Sequence, residues 1–187
     1  MSGSDSDEAL MSRYAGGDAN AFDVLYGRHK DASYRYFLRQ LPEAAAADCH
    51  QTLWLNLIRA RTRYQPTAPF RAYLFHLAHN VLTDQHRRSG RNPLTLVGTD
   101  TDGDPVRPDD LCGADDPAAT LVRNRQAVRL MTLIRALPAA QRDALLLRAE
   151  AGLSIQEIAD ITRTSAEGIK SRLRYALRRL RAEFTDD

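Results

Sequence analysis

Histidines with a carboxylate nearby are the residues of this chain whose spacing could support catalysis. His76 and His79 lie three residues apart in a helical pattern, and Asp84 and His86 follow them. Such a group could bind a metal ion for phosphodiester hydrolysis. No further carboxylate cluster completes the site, and the sequence has no glycine-rich phosphate loop, nucleophile motif or dinucleotide fingerprint. We therefore expect no enzymatic activity, no metal ion and no cofactor.

Positive charge is concentrated near the end of the chain. Between Arg163 and Arg181 there are seven lysines and arginines against one glutamate, which suits contacts with DNA phosphates. The segment has the spacing of a helix-turn-helix, with an apolar stripe on one side of its last helix and polar residues on the other. The residues that we expect to contact DNA there are Glu167, Lys170, Ser171, Arg172, Arg174 and Arg178. The alternative is an ordinary amphipathic helix, but the short helix before it has too few apolar residues to be stable without a packed partner.

The elements that position these residues are helices throughout. In residues 1–88 the apolar residues recur at spacings of three and four, which predicts helices after Asp18, after Pro42 and from about residue 68 to residue 88. Later in the chain, helices are predicted over residues 121–136 and from Pro138 to a stop at Gly152.

Two capping boxes predict the starts of the last two helices. They pair Ser154 with Glu157 and Thr164 with Glu167, a hydroxyl with a carboxylate three residues later in each case. The two helices therefore begin close together, as a helix-turn-helix requires.

Charge divides the chain into three parts. Residues 1–88 contain eleven basic and nine acidic residues. Residues 89–118 contain two basic and seven acidic residues, and residues 119–187 contain thirteen basic and eight acidic residues. The middle part has no helical periodicity and is rich in proline and glycine, which favours a linker. We predict an all-α protein with two small helical domains, 1–88 and 119–187, joined by an acidic flexible linker.

Cysteine content and hydropathy suggest the compartment. Cys49 and Cys112 are too few for a disulfide framework. No apolar run approaches the roughly 18 residues that a membrane span needs, and the first residues carry no targeting pattern. We expect a cytoplasmic protein that contacts no membrane.

The second helical block resembles region 4 of the sigma-70 superfamily of RNA polymerase specificity subunits. The resemblance rests on Leu137 with Pro138, on Arg142, on the Glu-Ile-Ala at 157–159 and on Ile-Lys-Ser-Arg-Leu at 169–173. Response regulators share parts of this pattern, so the sequence of the first block is needed to distinguish a sigma factor from a response regulator.

The first block resembles sigma region 2. The segment FRAYLFHLAHNVLTDQHRR is similar to a family pattern with Phe-x-x-Trp-Leu, Ala-x-Asn and Asp-x-x-Arg, although Tyr73 stands where the family has tryptophan. The matching residues are Phe70, Leu74, Ala78, Asn80, Asp84 and Arg87. Together the two blocks resemble a sigma factor of the extracytoplasmic-function (ECF) type.

The resemblance implies that both domains bind DNA and polymerase. Region 4 would bind the minus 35 element, and region 2 would open the minus 10 element and dock on the polymerase core through the helix at about 43–63. Single-stranded bases need aromatic platforms and cations, which alternate in residues 59–73. The minus 10 candidates are Arg63, Tyr64, Arg71, Asn80, Arg87 and Arg88, whereas we expect Phe70 to belong to the core.

The expected core-binding residues depart from the family pattern. The family has an acidic cluster there, whereas this chain has Asp48, Gln51 and Thr52 with alanines before them. Phosphorylation of Thr52, where the family has glutamate, would add about −1.5 to −2 charges. We hypothesise that a serine/threonine kinase controls this chain at Thr52, and the alternatives are neutral drift and control by an anti-sigma factor.

A second function class stays open at this stage. A free-standing helix-turn-helix regulator would bind duplex DNA tightly without polymerase, whereas a sigma factor would bind DNA weakly until it joins the core enzyme. The cationic aromatic surface of the first block favours the sigma factor, because a sensor domain needs an apolar cavity instead.

Overall fold

A computed structural model of the chain describes residues 5–90 and 117–185, and within the second range the side chains of residues 125–183. Nearly all of the predicted linker, with Cys112, lies outside the described residues. The described part contains only helices, which confirms the all-α prediction. The helices are α1 Asp7–Ala15, α2 Ala19–Leu38, α3 Glu43–Ala60, α4 Phe70–Arg88, α5 Pro117–Arg135, α6 Ala139–Ala149, α7 Ile155–Thr162 and α8 Ala166–Thr185. A single 3-10 turn, Arg61–Arg63, follows α3.

Local capping signals explain several of these starts. The side chain of Asp18 accepts a hydrogen bond from the Asn20 amide at the start of α2. The capping box before α7 is confirmed: Glu157 N–H donates to Ser154 Oγ at 3.2 Å, and Ser154 N–H donates to Glu157 Oε2 at 2.7 Å.

The second predicted capping box is wrong. Helix α8 begins at Ala166, so the capping position falls on Ser165, whose Oγ accepts a hydrogen bond from the Gly168 amide at 3.1 Å. Thr164 Oγ1 instead donates to the carbonyl of Thr162, at 3.3 Å.

The start of α5 also differs from the sequence prediction. The helix begins at Pro117, inside the segment predicted as linker, rather than at about residue 121. Proline is tolerated at the first helical position because its missing N–H would have no partner there. The acidic, proline-rich composition hid this first turn from the sequence analysis.

Helix α4 begins without a cap from its own segment. Pro69 precedes it and offers no side-chain hydrogen bond. Glu8 from α1 takes that place, because its Oε1 accepts the Phe70 amide at 2.8 Å. Arg28 and His29 of α2 hold Asp7 of α1 at 2.7 Å each. Helix α1, which the sequence analysis did not identify, therefore joins the middle of α2 to the start of α4.

Both halves of the chain contribute to one hydrophobic core. Tyr36, Phe37 and Phe75 of the first half are at most 1% exposed, and Leu146 and Leu147 of the second half are fully buried in the same cluster. The halves meet where α2 and α4 pack against α6 and α7.

Candidate nucleic-acid interface

The helix-turn-helix is formed by α7 and α8 with a short turn between them. Arg163 adopts a left-handed conformation, with φ of 52°, and the Thr164 amide donates to the carbonyl of Ala159 at 3.0 Å. A Cβ on Gly168 would lie 2.7 Å from Thr164 Cγ2, so only glycine lets α8 approach the turn this closely. Ile169 and Ala176 are fully buried and fix the rotation of α8.

That rotation exposes the predicted base-reading face of α8. Glu167, Lys170, Arg174 and Arg178 are exposed, and Ser171 and Arg172 are half-buried. Lys170 Nζ lies 3.2 Å from Glu167 Oε2, and Arg174 Nη2 lies 3.5 Å from Ser171 Oγ. The structure therefore brings all six predicted residues onto one helix, with four directed to the solvent.

Tyr175 belongs to this surface although the sequence analysis missed it. Its ring is 46% exposed and lies 5.0 Å from the Arg178 guanidinium carbon and 5.8 Å from that of Arg174. A ring placed between two guanidinium groups orients them by cation–π attraction. The sequence signal that could have revealed it is an aromatic residue three positions before an arginine on the polar face.

An open groove of about 570 Å³ lies along α8. Its floor is apolar, formed by Ile155, Leu173 and Leu177, and Leu177 is 43% exposed. Its rim is cationic and consists of Lys170, Arg174, Arg178 and Arg181. Such a surface matches a major groove of DNA, because the cations can contact the phosphates and the apolar strip can contact thymine methyl groups.

The predicted minus 10 residues that belong to α4 lie on two faces of that helix, whereas Arg63 and Tyr64 precede it. Asn80 and Arg87 are exposed, and Arg87 Nη1 lies 3.1 Å from Asp84 Oδ1 in a solvent-exposed pair. Arg71 precedes Asn80 by nine residues, two and a half helical turns, and so lies on the opposite face. Its Nη1 donates to the carbonyl of Ala151 in the second half of the chain, at 3.3 Å.

Aromatic residues support the start of α4. Phe70 is fully buried, as predicted. Tyr64 is half-buried and packs edge-to-face against Tyr73, with ring centroids 5.1 Å apart. Burial raises the pKa of both phenols, and the buried Tyr64 hydroxyl has no hydrogen-bond partner. Arg63 is exposed just before Tyr64, and Arg88 is exposed at the opposite end of α4.

The predicted core-binding residues share one exposed face of α3. Asp48, Gln51 and Thr52 are exposed, and Thr52 Oγ1 donates to the Asp48 carbonyl at 2.8 Å. Leu55, one turn further on, is 43% exposed and adds an apolar side chain to this face that the sequence analysis missed. Cys49 faces inward, and burial raises the pKa of its thiol to about 11, so it packs as a protonated, apolar group.

The histidines considered for metal binding lie apart from any ligand cluster. His79 Nδ1 lies 3.0 Å from Asp143 Oδ2 but makes no hydrogen bond. Burial, His79 and Arg163 lower the pKa of His76. Within residues 5–90 and 117–185, no three His, Cys, Asp or Glu side chains come close enough together to hold a metal ion. None of the described helices has the length and hydropathy of a membrane span.

Comparisons with known proteins agree with this architecture. The family description "Sigma-70 region 2" matches residues 25–92, and "Sigma-70, region 4" matches residues 127–180. The ECF RNA polymerase sigma factor ShbA of Streptomyces griseus is 31% identical over 181 residues, 93% of this chain and 93% of its own length.

Two solved structures have a similar fold. CnrH, in complex with the cytosolic domain of CnrY, has a TM-score of 0.69 over 98% of this chain and 99% of its own, with 24% identity. RpoE of Bartonella quintana, in complex with the anti-sigma factor NepR, has a TM-score of 0.70 over 89% of this chain and 98% of its own, with 21% identity.

Proposed function

This chain belongs to the ECF RNA polymerase sigma factors of the sigma-70 family. We propose that three of its helices each bind a different part of the promoter or the polymerase. Helix α8 reads the minus 35 element, α4 engages the minus 10 element, and α3 docks on the polymerase core. The protein acts in the cytoplasm by binding and carries out no catalysis of its own.

The observation that carries this proposal is the exposed cationic face of α8, mounted on a packed helix-turn-helix. The residues at the start of the helix, Glu167, Lys170 and Ser171, are placed to reach base edges. Arg174 and Arg178, held beside Tyr175, are placed to contact phosphates or bases. Each phosphate contact adds affinity that falls with salt concentration.

The minus 10 element is engaged by the outer face of α4 and the loop before it. Asn80 and Arg87 offer an amide and a guanidinium to unpaired bases and to the backbone, and Arg63 and Arg88 extend the cationic surface. Tyr64 lies at the start of α4, where its ring packs on Tyr73 and Phe70. Arg71 lies on the opposite face of α4, where it donates to the carbonyl of Ala151.

Run-off transcription tests the proposal. Core polymerase with a candidate promoter is compared in the absence and presence of the protein, and with an Asn80→Ala, Arg87→Ala variant. Promoter-specific transcripts that appear only with the protein and weaken in the variant are expected. No transcript, together with tight duplex binding by the protein alone, would favour a free-standing helix-turn-helix regulator.

We further propose that Thr52 is a phosphorylation switch for core binding. Its hydroxyl lies on an exposed face beside Asp48, and a phosphate there would supply negative charge where this chain carries only one carboxylate. Leu55 supplies the apolar part of the same contact. The enzyme responsible would be a serine/threonine kinase, and an anti-sigma factor is the other candidate for control.

The switch is tested by comparing Thr52→Glu and Thr52→Ala with the unmodified protein in core-binding and transcription assays. The glutamate variant should bind core more tightly, and the alanine variant should lose any activation by the kinase in cells. Thr132→Glu is a matched control, because Thr132 is also exposed and also donates to the carbonyl four residues earlier, at 3.1 Å. An equal gain from Thr132→Glu, or full activity of Thr52→Ala in cells, would contradict the switch.

A further inference from the structure

His50 is a half-buried histidine on the side of α3 that packs against α2. Its Nε2 lies 3.0 Å from the indole Nε1 of Trp54, one turn later on the same helix. The same nitrogen lies 3.1 Å from the backbone carbonyl of Lys30 and 3.1 Å from the hydroxyl of Ser33, both on α2. One ring nitrogen of His50 therefore faces three polar groups, two of them on the neighbouring helix.

These neighbours make incompatible demands on that nitrogen. An indole N–H can only donate, so Nε2 must be unprotonated to accept it, whereas a carbonyl can only accept, so Nε2 must carry a hydrogen to bond it. The Ser33 hydroxyl already donates to the carbonyls of His29 and Lys30, at 2.8 Å and 3.0 Å, so its oxygen can accept from a protonated Nε2. Which contact His50 makes therefore depends on whether Nε2 carries a hydrogen.

Trp54 connects this choice to the surface of α3 that we assign to core docking. Its side chain is buried, and its ring packs edge-to-face against Tyr26 and Phe22 of α2, with centroids 4.9 Å and 5.8 Å away. Tyr26 is itself 38% exposed, and the residue that follows Trp54 is the exposed Leu55. A change in the orientation of the indole therefore alters the apolar part of the α2–α3 surface.

We propose that neutral His50 is a positioning residue for core docking, because it accepts the Trp54 N–H and so fixes this surface, and that its protonation releases Trp54 and weakens docking. The inference rests on the proposed function, since it concerns the regulation of the same α3 surface. An imidazolium carries a hydrogen on both nitrogens and cannot accept the indole N–H. It donates to the Lys30 carbonyl instead, and the buried indole N–H is left without its acceptor.

Charge acts in the same direction as the lost hydrogen bond. We assign docking to the negative charge of Asp48 and of a phosphorylated Thr52, and an imidazolium adds positive charge to the same helix. Protonation of His50 therefore opposes the effect that phosphorylation of Thr52 would have. The two changes give the α3 surface opposite controls.

The surroundings of His50 set the pH at which it changes state. Burial lowers the pKa of His50 below its ordinary value of 6.5, against the opposing effects of the Lys30 carbonyl and of the charge of Asp31. The phenol rings of Tyr26 and Tyr34 also face the imidazole, with centroids 6.4 Å and 5.5 Å away, and Lys30 carries an exposed ammonium. Because the folded-state pKa is lowered, the contact of neutral His50 is present above pH 6.5 and is lost as the pH falls.

The first measurement is a fluorescence titration of the full chain, because Trp54 is its only tryptophan. Between about pH 7.5 and about pH 5 the emission should change with one midpoint below 6.5, while helical circular dichroism stays constant. His50→Gln, which cannot be protonated, should abolish the transition. His76→Gln, at an exposed histidine of α4, is the matched control and should retain it.

The second measurement is the affinity of the same three proteins for core polymerase at about pH 7.5 and about pH 5.5. The unmodified protein and His76→Gln should bind about fivefold more weakly at the lower pH, which is the factor that one hydrogen bond typically contributes. His50→Gln should lack this loss. If His50→Gln reduces helical circular dichroism, Trp54→Phe keeps a large ring without the N–H and should also lack the loss.

The two readouts separate this inference from the proposed function. A fluorescence transition that persists in His50→Gln, or that coincides with loss of helical circular dichroism, would overturn the role of His50. An equal loss of core affinity in all three proteins would overturn it too. Absence of core binding at both pH values would instead contradict the proposed function, and the docking role of His50 with it.

Discussion

Glu8 offers a sharp test of how α4 is held, because it caps that helix from a distant part of the chain. Its Oε1 accepts the Phe70 amide at 2.8 Å, and Pro69 offers no side-chain hydrogen bond in its place. Replacing a capping side chain with alanine typically costs about 1 kcal/mol. For a chain of this size, Glu8→Ala should therefore lower the melting temperature by about 2–4 °C at neutral pH.

The pH dependence of this loss has a defined sign. The hydrogen bond from the Phe70 amide holds the pKa of Glu8 below its ordinary value of 4.5. A carboxylate with a lowered pKa stabilises the fold above its ordinary pKa and loses that contribution as the pH falls. The difference between Glu8→Ala and the unmodified protein should therefore be full at pH 7 and shrink in acid.

Thermal denaturation followed by circular dichroism at neutral and acidic pH measures both effects. Asp23→Asn, at an exposed position of α2, is the control and should leave the melting temperature within about 1 °C of the unmodified protein, as surface substitutions usually do. Equal melting temperatures for Glu8→Ala and the unmodified protein, or a difference that persists undiminished in acid, would refute the capping argument.

Three further predictions concern the helix-turn-helix and the contact between the halves. Arg178→Ala should reduce the slope of log affinity against log salt for minus 35 duplex binding by about 0.9, whereas Arg125→Ala on α5 should not; equal slopes would remove Arg178 from the phosphate contacts. Ser154→Ala should cost about 1 kcal/mol in chemical denaturation, because it deletes half of a complete capping box, and a neutral effect would contradict that role. Burial and the charge of Asp143 raise the pKa of Tyr36 well above 10, so stability should fall as the pH rises above about 10, less steeply in Tyr36→Phe.

Much of the helical architecture could be predicted because its signals are local. The helix that begins after Asp18 and the capping box of Ser154 with Glu157 need only residues a few positions apart. The exposed face of α8 follows from helical periodicity alone. Local rules failed at α8, where Ser165 rather than Thr164 provides the cap, because the path of the turn decides which hydroxyl meets the free amide.

The sequence by itself determined an all-helical chain, a basic helix-turn-helix and the family resemblance, since each depends on residue types at short, regular spacings. Only the tertiary structure decided what crosses long separations. Glu8 meets Phe70 over 62 residues, Tyr36 meets Asp143 over 107, and Arg35 meets Glu150 over 115. No periodicity encodes such pairs, because they exist only once burial of a shared apolar core has brought distant helices together.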